Sequence, residues 1–368
     1  MRWSRKSGVV ACLLAGAWLS VAGVPQARAE GPVAPQAMPG PTVPCADAPP
    51  MLRQACLDAE RRADAAQRAY ALWLADQLAA DGDARDLALA LFVRRGALLT
   101  PEVLAGIADG KAMPPDPVLE RWYRKAYAKA GRDGVTWSLL ASAWGQMAMP
   151  KPADRDAQVA WAKADPDNLA PLLLALREGE GIDAVFAALP KRAHNRVYWN
   201  AVQALAMDAV RRHPPKPEWR DAIPALRDKP LEAYGQELGT AVELPSYRGL
   251  LEACTPHAAA PDRRAPCRAL STVMQDASDV LIGRMIGNLL LRLNATDEAG
   301  RAAAHAGWRP LFWRQRQLGA HGDARYEAAY RDALRADPAA DEVTLIDRAL
   351  RAVGADPVPP ADWETAVP

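Results

Sequence analysis

Five histidines, His194, His213, His257, His305 and His321, are the first candidates for acid–base or metal chemistry. None falls in an HExxH pattern, and none lies four residues from another, the spacing that puts two imidazoles on one helix face. The sequence has no GxSxG elbow and no glycine loop ending in Gly-Lys-Ser/Thr to cradle a phosphate. Asp154/Asp156 and Asp165/Asp167 are acidic pairs that could act as general acid and base. Both sit where helices begin or end, and carboxylates there more often satisfy free N–H groups. A lytic transglycosylase would need a Glu-Ser signature in a lysozyme-like domain, which is absent. No catalytic residue, metal site or cofactor is therefore expected.

Two clusters have the composition for binding. Trp308-Arg309-Pro310-Leu311-Phe312-Trp313-Arg314-Gln315-Arg316 joins three large aromatics to three arginines. On a helix, Arg309, Trp313 and Arg316 share one side and could stack on a peptide or glycan. With Trp308 they form the candidate ligand site. The competing reading makes Phe312 and Trp313 core and the arginines solvated. Trp122, Tyr123 and Tyr127, interleaved with Arg121, Arg124 and Lys125, pose the same choice.

Four cysteines lie beyond the first 29 residues: Cys45, Cys56, Cys254 and Cys267. Without a CxxC spacing, neither a redox pair nor a zinc knuckle is favoured, and only His257 is near as a further ligand. Four cysteines allow three pairings. Proximity favours Cys45–Cys56 and Cys254–Cys267, and disulfides imply an oxidising compartment. The N-terminus agrees. Arg2, Arg5 and Lys6 precede an apolar run, Val9 to Val24, and Ala27-Arg28-Ala29 offers a small-x-small cleavage site. That order predicts a secretory signal peptide over 1–29. The rival, an uncleaved anchor, is disfavoured because the run falls short of the roughly 20 residues a spanning helix needs. No later run reaches that length, so a periplasmic or secreted protein is expected.

The whole chain of 368 residues carries net charge +1, and removing the basic first 29 residues leaves −3. A near-neutral surface argues against nucleic-acid binding. The hydrophobic share, 50%, is enough for a sizeable core.

Positioning falls to helices. Apolar residues recur at helical spacing from Met51 onward, while sustained alternation and Asn-Gly hairpin turns are missing. Asp83 is a natural N-cap for a helix from Ala84, and Gly-Asp-Ala-Arg recurs at 322–325 before another. Ala160 to Leu174 reads as a helix end, a proline stop and a new start, with Asn168 able to cap. Further helices are predicted over Asn195 to Arg212, Leu231 to Glu243, Cys267 to Leu293, Glu298 to Ala306, Pro310 to Leu318, Ala324 to Ala336 and Asp341 to Val353. The expected organisation is a Pro-rich linker over 30–50, a helical domain over 51–213, a Pro-rich connection over 214–230, a second helical domain over 231–353 and a loose tail over 354–368.

Trp137-Ser138-Leu139-Leu140-Ala141-Ser142-Ala143-Trp144 is similar to the first helix of a tetratricopeptide repeat. Asp154 to Pro166 and Ala329 to Pro338 resemble its second helix, with small residues for close approach and a terminal proline. The likeness covers about a fifth of the chain and implies tetratricopeptide-like (TPR-like) hairpins. The whole chain also resembles exported helical proteins of high-GC bacteria. The expected fold is thus all-α, an irregular solenoid or bundle of roughly 15 antiparallel helices. The expected function is a non-enzymatic scaffold binding a protein or peptide in the cell envelope. The alternative is an all-α enzyme acting on a glycan or peptidoglycan fragment, which would need a deep pocket, convergent polar groups and a shifted carboxyl or histidine.

Overall fold

The computed structural model describes Cys45 and most of residues 49–364. Outside the described residues lie 1–44, 46–48, 110, 112, 114, 146–150, 177–180, 241, 243, 246, 256–262 and 365–368, together with the side chains of 143–145 and 151–156. The expected signal peptide, most of the 30–50 linker and the side chains of Trp144, Asp154 and Asp156 fall there.

The regular elements among the described residues are all helices, with no named strand. We label the α-helices α1 (Pro50–Asp81), α2 (Ala84–Leu98), α3 (Pro101–Ala108), α4 (Pro117–Lys129), α5 (Gly134–Gly145), α6 (Lys151–Ala164), α7 (Ala170–Ala175), α8 (Ile182–Ala188) and α9 (Trp199–Arg212). They continue as α10 (Pro217–Ala222), α11 (Pro224–Arg227), α12 (Leu231–Gly239), α13 (Arg248–Cys254), α14 (Arg264–Ala277), α15 (Leu281–Asn294), α16 (Glu298–His321), α17 (Ala324–Ala336) and α18 (Glu342–Ala352). Aspartates start many of them. Asp83, Asp116, Asp297, Asp323 and Asp341 each accept a backbone N–H from the first turn that follows. The repeated Gly-Asp-Ala-Arg thus marks two capped helix starts, each stabilised by about 1 kcal/mol.

Sequential helices pair as α1 with α2, α14 with α15, α15 with α16, and α17 with α18. The central pair, α9 with α12, crosses at glycine. A Cβ on Gly235 would stand 2.7 Å from Met207 Cα, and one on Gly239 would stand 2.4 Å from Gln203 Cα. Only hydrogen fits at that approach. Gly283 and Gly287 serve α15 in the same way, against Ser278 and Gln275.

Three apolar clusters form the core. The first runs from Tyr70 on α1 through α2, α4, α5 and α9 to Val280. The second joins α7, α8, α13, α14 and α15. The third joins α17 and α18 to Met207, Leu281 and Leu311. Residues 214–230, expected as a connection between two domains, carry α10 and α11 instead. Pro217 and Pro224 open these helices, where proline's missing N–H costs nothing. Ile223 and Leu226 are buried in the first cluster, and α12 pairs back onto α9. The core therefore runs across this segment.

Two other expectations change. The helix predicted over Cys267 to Leu293 breaks at Ser278–Val280 into the antiparallel α14 and α15, because Asp279 caps a different part of the chain. The two helices predicted around Pro310 are one, α16, with the proline inside. Burial of Trp308 and Leu311 on either side of it offsets the lost backbone bond.

Both favoured disulfides are present. Cys45–Cys56 and Cys254–Cys267 have Cα separations of 5.6 and 5.8 Å. The first ties the chain to the early turns of α1, whose residues before Tyr70 are mostly exposed. The second lies inside the second core cluster.

Candidate functional site

A cleft of about 490 Å³ opens beside α9, bounded by α2, α5, α12 and the loop after α17. Its floor is apolar, from Val135, Ala201, Ala204, Leu205 and Met207. Its walls carry four arginines, Arg85, Arg196, Arg211 and Arg335, and four acids, Asp133, Asp208, Glu232 and Asp279. Neither sign dominates, so the cleft is unsuited to a polyanion. Several charges are already matched. Arg85 holds Asp133 by two hydrogen bonds, at 2.8 and 2.9 Å. Burial tends to raise the Asp133 pKa, but Arg85 and Thr136 bring it below the usual value. Arg211 pairs with Asp208 and Arg335 with Asp332.

The wall nearest the start of α9 is built from three chain segments. Residues 192–197 run between the turn at 165–170 and the break at 277–280 and lead into Tyr198. Leu169 N donates to His194 O at 2.8 Å, and Asn195 N donates to Ala277 O at 3.0 Å. Asn168 is fully buried. Its amide donates to Arg196 O and Asp165, and its oxygen accepts from Ala170 N and Arg196 N. On the other side Asp279 accepts from Val197 N at 2.9 Å and from Tyr198 N at 2.7 Å. Burial raises the Asp279 pKa to about 6 against the pull of those two bonds.

Tyr198 has φ 59°, the one non-glycine residue with positive φ among the described residues. Such a conformation costs an aromatic residue on the order of 1–3 kcal/mol and persists only where its surroundings fix it. They do so here. Its N–H is held by Asp279, its hydroxyl donates to Asp165 at 2.7 Å, and its ring covers Gly134, where a Cβ would be 2.3 Å away.

Asp165 also faces His194, with Nε2 3.5 Å from the carboxylate. This resembles an acid–base pair, but its chemistry differs. Burial works to raise the Asp165 pKa, yet the His194, Tyr198 and Asn168 contacts hold it down to about 2. A carboxylate so held stays ionised near neutral pH and orients its neighbours. Among the described residues, no histidine lines the cleft. In the Asp165–Asn168 turn, Asn168 accepts the Ala170 N–H at 3.0 Å, and Asp165 bonds across to Tyr198.

The residues singled out by sequence lie elsewhere, on α16 and α4. Trp308 is 4% exposed and stacks on Phe312 at 4.9 Å, so it is core. Arg309 and Trp313 face outward and are covered by the chain's own 355–364 segment. Arg309 donates to Trp363 O and Ala361 O, each at 2.9 Å, and to Pro360 O. Trp313 Nε1 donates to Asp356 O at 2.7 Å, and its ring meets Trp363 edge-on at 5.1 Å. Arg316 lies over the Trp313 ring. The tail expected to be loose is thus anchored through Trp363. Trp122 and Tyr123 on α4 are buried, with Arg94 over Trp122 and Tyr127 edge-on to Trp137. Sequence reasoning missed the cleft, because its lining comes from six separate stretches. Its one local signal is Arg196-Val197-Tyr198 just before a helical period.

Compared with known proteins, the chain matches no family model, no curated protein and no solved structure.

Proposed function

We propose that this is an exported, non-enzymatic helical scaffold whose central cleft binds a peptide segment of a partner in the cell envelope, on a stack of TPR-like hairpins. The cleft's composition carries the reading. An apolar floor between walls of both charge signs suits a peptide, whose side chains alternate apolar and charged groups around a polar backbone. The two disulfides support an oxidising compartment, periplasmic or extracellular. No helix among the described residues is long and apolar enough to cross a membrane. Within the cleft the acid that burial raises, Asp279, is occupied as a cap for Val197 and Tyr198.

The test is an array of short peptides of varied charge, probed with the full chain and with Ala204→Trp, which fills the floor. Peptides retained by the wild type should bind the variant at least about tenfold more weakly, a loss of about 1.4 kcal/mol. Equal binding by both proteins, or no retained peptide, overturns the reading.

A further inference from the structure

The face of α16 that holds the tail has its own recognition chemistry. Arg309 and Trp313 give four hydrogen bonds to the 355–364 segment, and all four go to backbone carbonyls: Asp356, Pro360, Ala361 and Trp363. The covered segment, Asp356-Pro357-Val358-Pro359-Pro360-Ala361-Asp362-Trp363, contains three prolines. Proline cannot donate, so few N–H groups of the segment compete for its carbonyls. The segment bends at Pro357 and Val358 and turns at 360–363, where Trp363 N donates to Pro360 O at 3.0 Å. Arginine and indole N–H groups beside an aromatic ring are what such a segment needs. Pro357 is buried. One ring, Trp363, adds an edge-on aromatic contact. Asp356, Asp362 and Glu364 give the segment a negative charge, while Arg309 and Arg316 give the face a positive one.

The attachment is fixed at its root and exposed beyond it. Gly354 ends α18 with φ 83°, its N–H and that of Ala355 donate back to Arg351 O and Leu350 O, and Ala355 is buried in the third core cluster. Val358 is 59% exposed, and Pro360, Ala361 and Asp362 are exposed too. The strap therefore rests on Pro357, Trp363 and the carbonyl contacts, with little other burial.

We propose that the Arg309–Trp313–Arg316 face is a docking site for an acidic, proline-rich peptide of a partner protein, and that residues 356–363 fill it in cis as a competing strap. Recognition through carbonyls and one aromatic ring does not depend on which protein supplies the segment. A tethered strap acts at an effective concentration of roughly millimolar, so a partner segment displaces it only by binding better or by arriving at high local density. This site lies on α16, apart from the cleft beside α9, and stands or falls without it.

The experiment uses the full chain with a specific protease site inserted after Ala355, which is left in the core. A fluorescent synthetic peptide of sequence 354–364 is titrated by anisotropy into the uncut and the cut, washed protein. The cut protein should bind it at least tenfold more tightly than the uncut one. Arg309→Ala in the cut protein should weaken binding at least tenfold while leaving the helical circular dichroism signal intact. A peptide with its three prolines replaced by alanine should bind severalfold more weakly. In case cutting unfolds the protein, Trp363→Ala in the uncut chain gives a second reading, because a weakened strap should raise affinity for the peptide severalfold. Equal binding before and after cutting, indifference to Arg309→Ala, or no gain in Trp363→Ala would each overturn the proposal. The Ala204→Trp variant should bind this peptide normally, which separates the two sites.

Discussion

Glu342 → Gln should make the protein more stable at pH 8 and leave it unchanged at pH 4. The Glu342 carboxylate accepts the Leu281 N–H at 2.6 Å, and its own N–H donates to Asp279 O at 2.8 Å. Burial, joined by the charges of Asp279 and Asp341, raises its pKa from 4.5 to about 7, against the pull of the Leu281 N–H and Arg284. A group whose folded pKa lies above its unfolded one favours folding when protonated. That contribution is complete below pH 4.5 and is lost as pH rises through 7. At about 1.4 kcal/mol per unit, the gap corresponds to about 3 kcal/mol. Glutamine keeps an oxygen for Leu281 and removes the charge, so it should recover up to that amount at pH 8. Urea unfolding followed by tryptophan fluorescence at pH 4, 6 and 8 measures it. The wild type should lose stability across this range, and the variant should lose less. Part of the slope should survive, because Asp279 also titrates high, at about 6. A variant less stable than wild type at pH 8, or an offset equal at pH 4 and pH 8, would refute the assigned cause.

Gly239→Ala should cost on the order of 1–3 kcal/mol in thermal unfolding, since its Cβ meets Gln203 Cα at 2.4 Å and α9 and α12 must separate. Replacing Cys254 and Cys267 together by serine should cost about 3 kcal/mol, seen as a lower melting temperature that reductant no longer changes. The same change at Cys45 and Cys56 should leave the main melting transition in place, because the turns of α1 that carry Cys56 are mostly exposed.

Local signals were legible in the sequence because they act over one helical turn. Asp83 and Asp323 cap the helices that follow, and Asn168 accepts the Ala170 N–H, as their positions suggest. The disulfide pairing was legible because short loops close most readily. Proline misled twice. In 214–230 it opens helices, and at Pro310 it sits inside one, because tertiary burial outweighs its local cost. The cleft wall was illegible for a different reason. Asp279 meets Val197 and Tyr198 across roughly eighty residues, and no periodicity records such a pairing. The aromatic–arginine cluster on α16 was found by composition alone, but nothing in its spacing said that the chain's own tail would cover it.

The three-segment wall at 192–198 bears on how the chain acquires its structure. Helical hairpins stacked in a row can form one at a time and can fray from either end, because each touches only its neighbours. Here the turn at 165–170, the stretch at 192–198, the break at 277–280 and, through Glu342, the start of α18 are laced together. None of these bonds exists until distant parts of the chain have met, and closing such loops is slow. Tyr198 is held in its left-handed conformation by Asp279 on one flanking segment and Asp165 on the other. Its ring signal should therefore be the last to become native during refolding and among the first to be lost, making it a natural reporter of completed assembly.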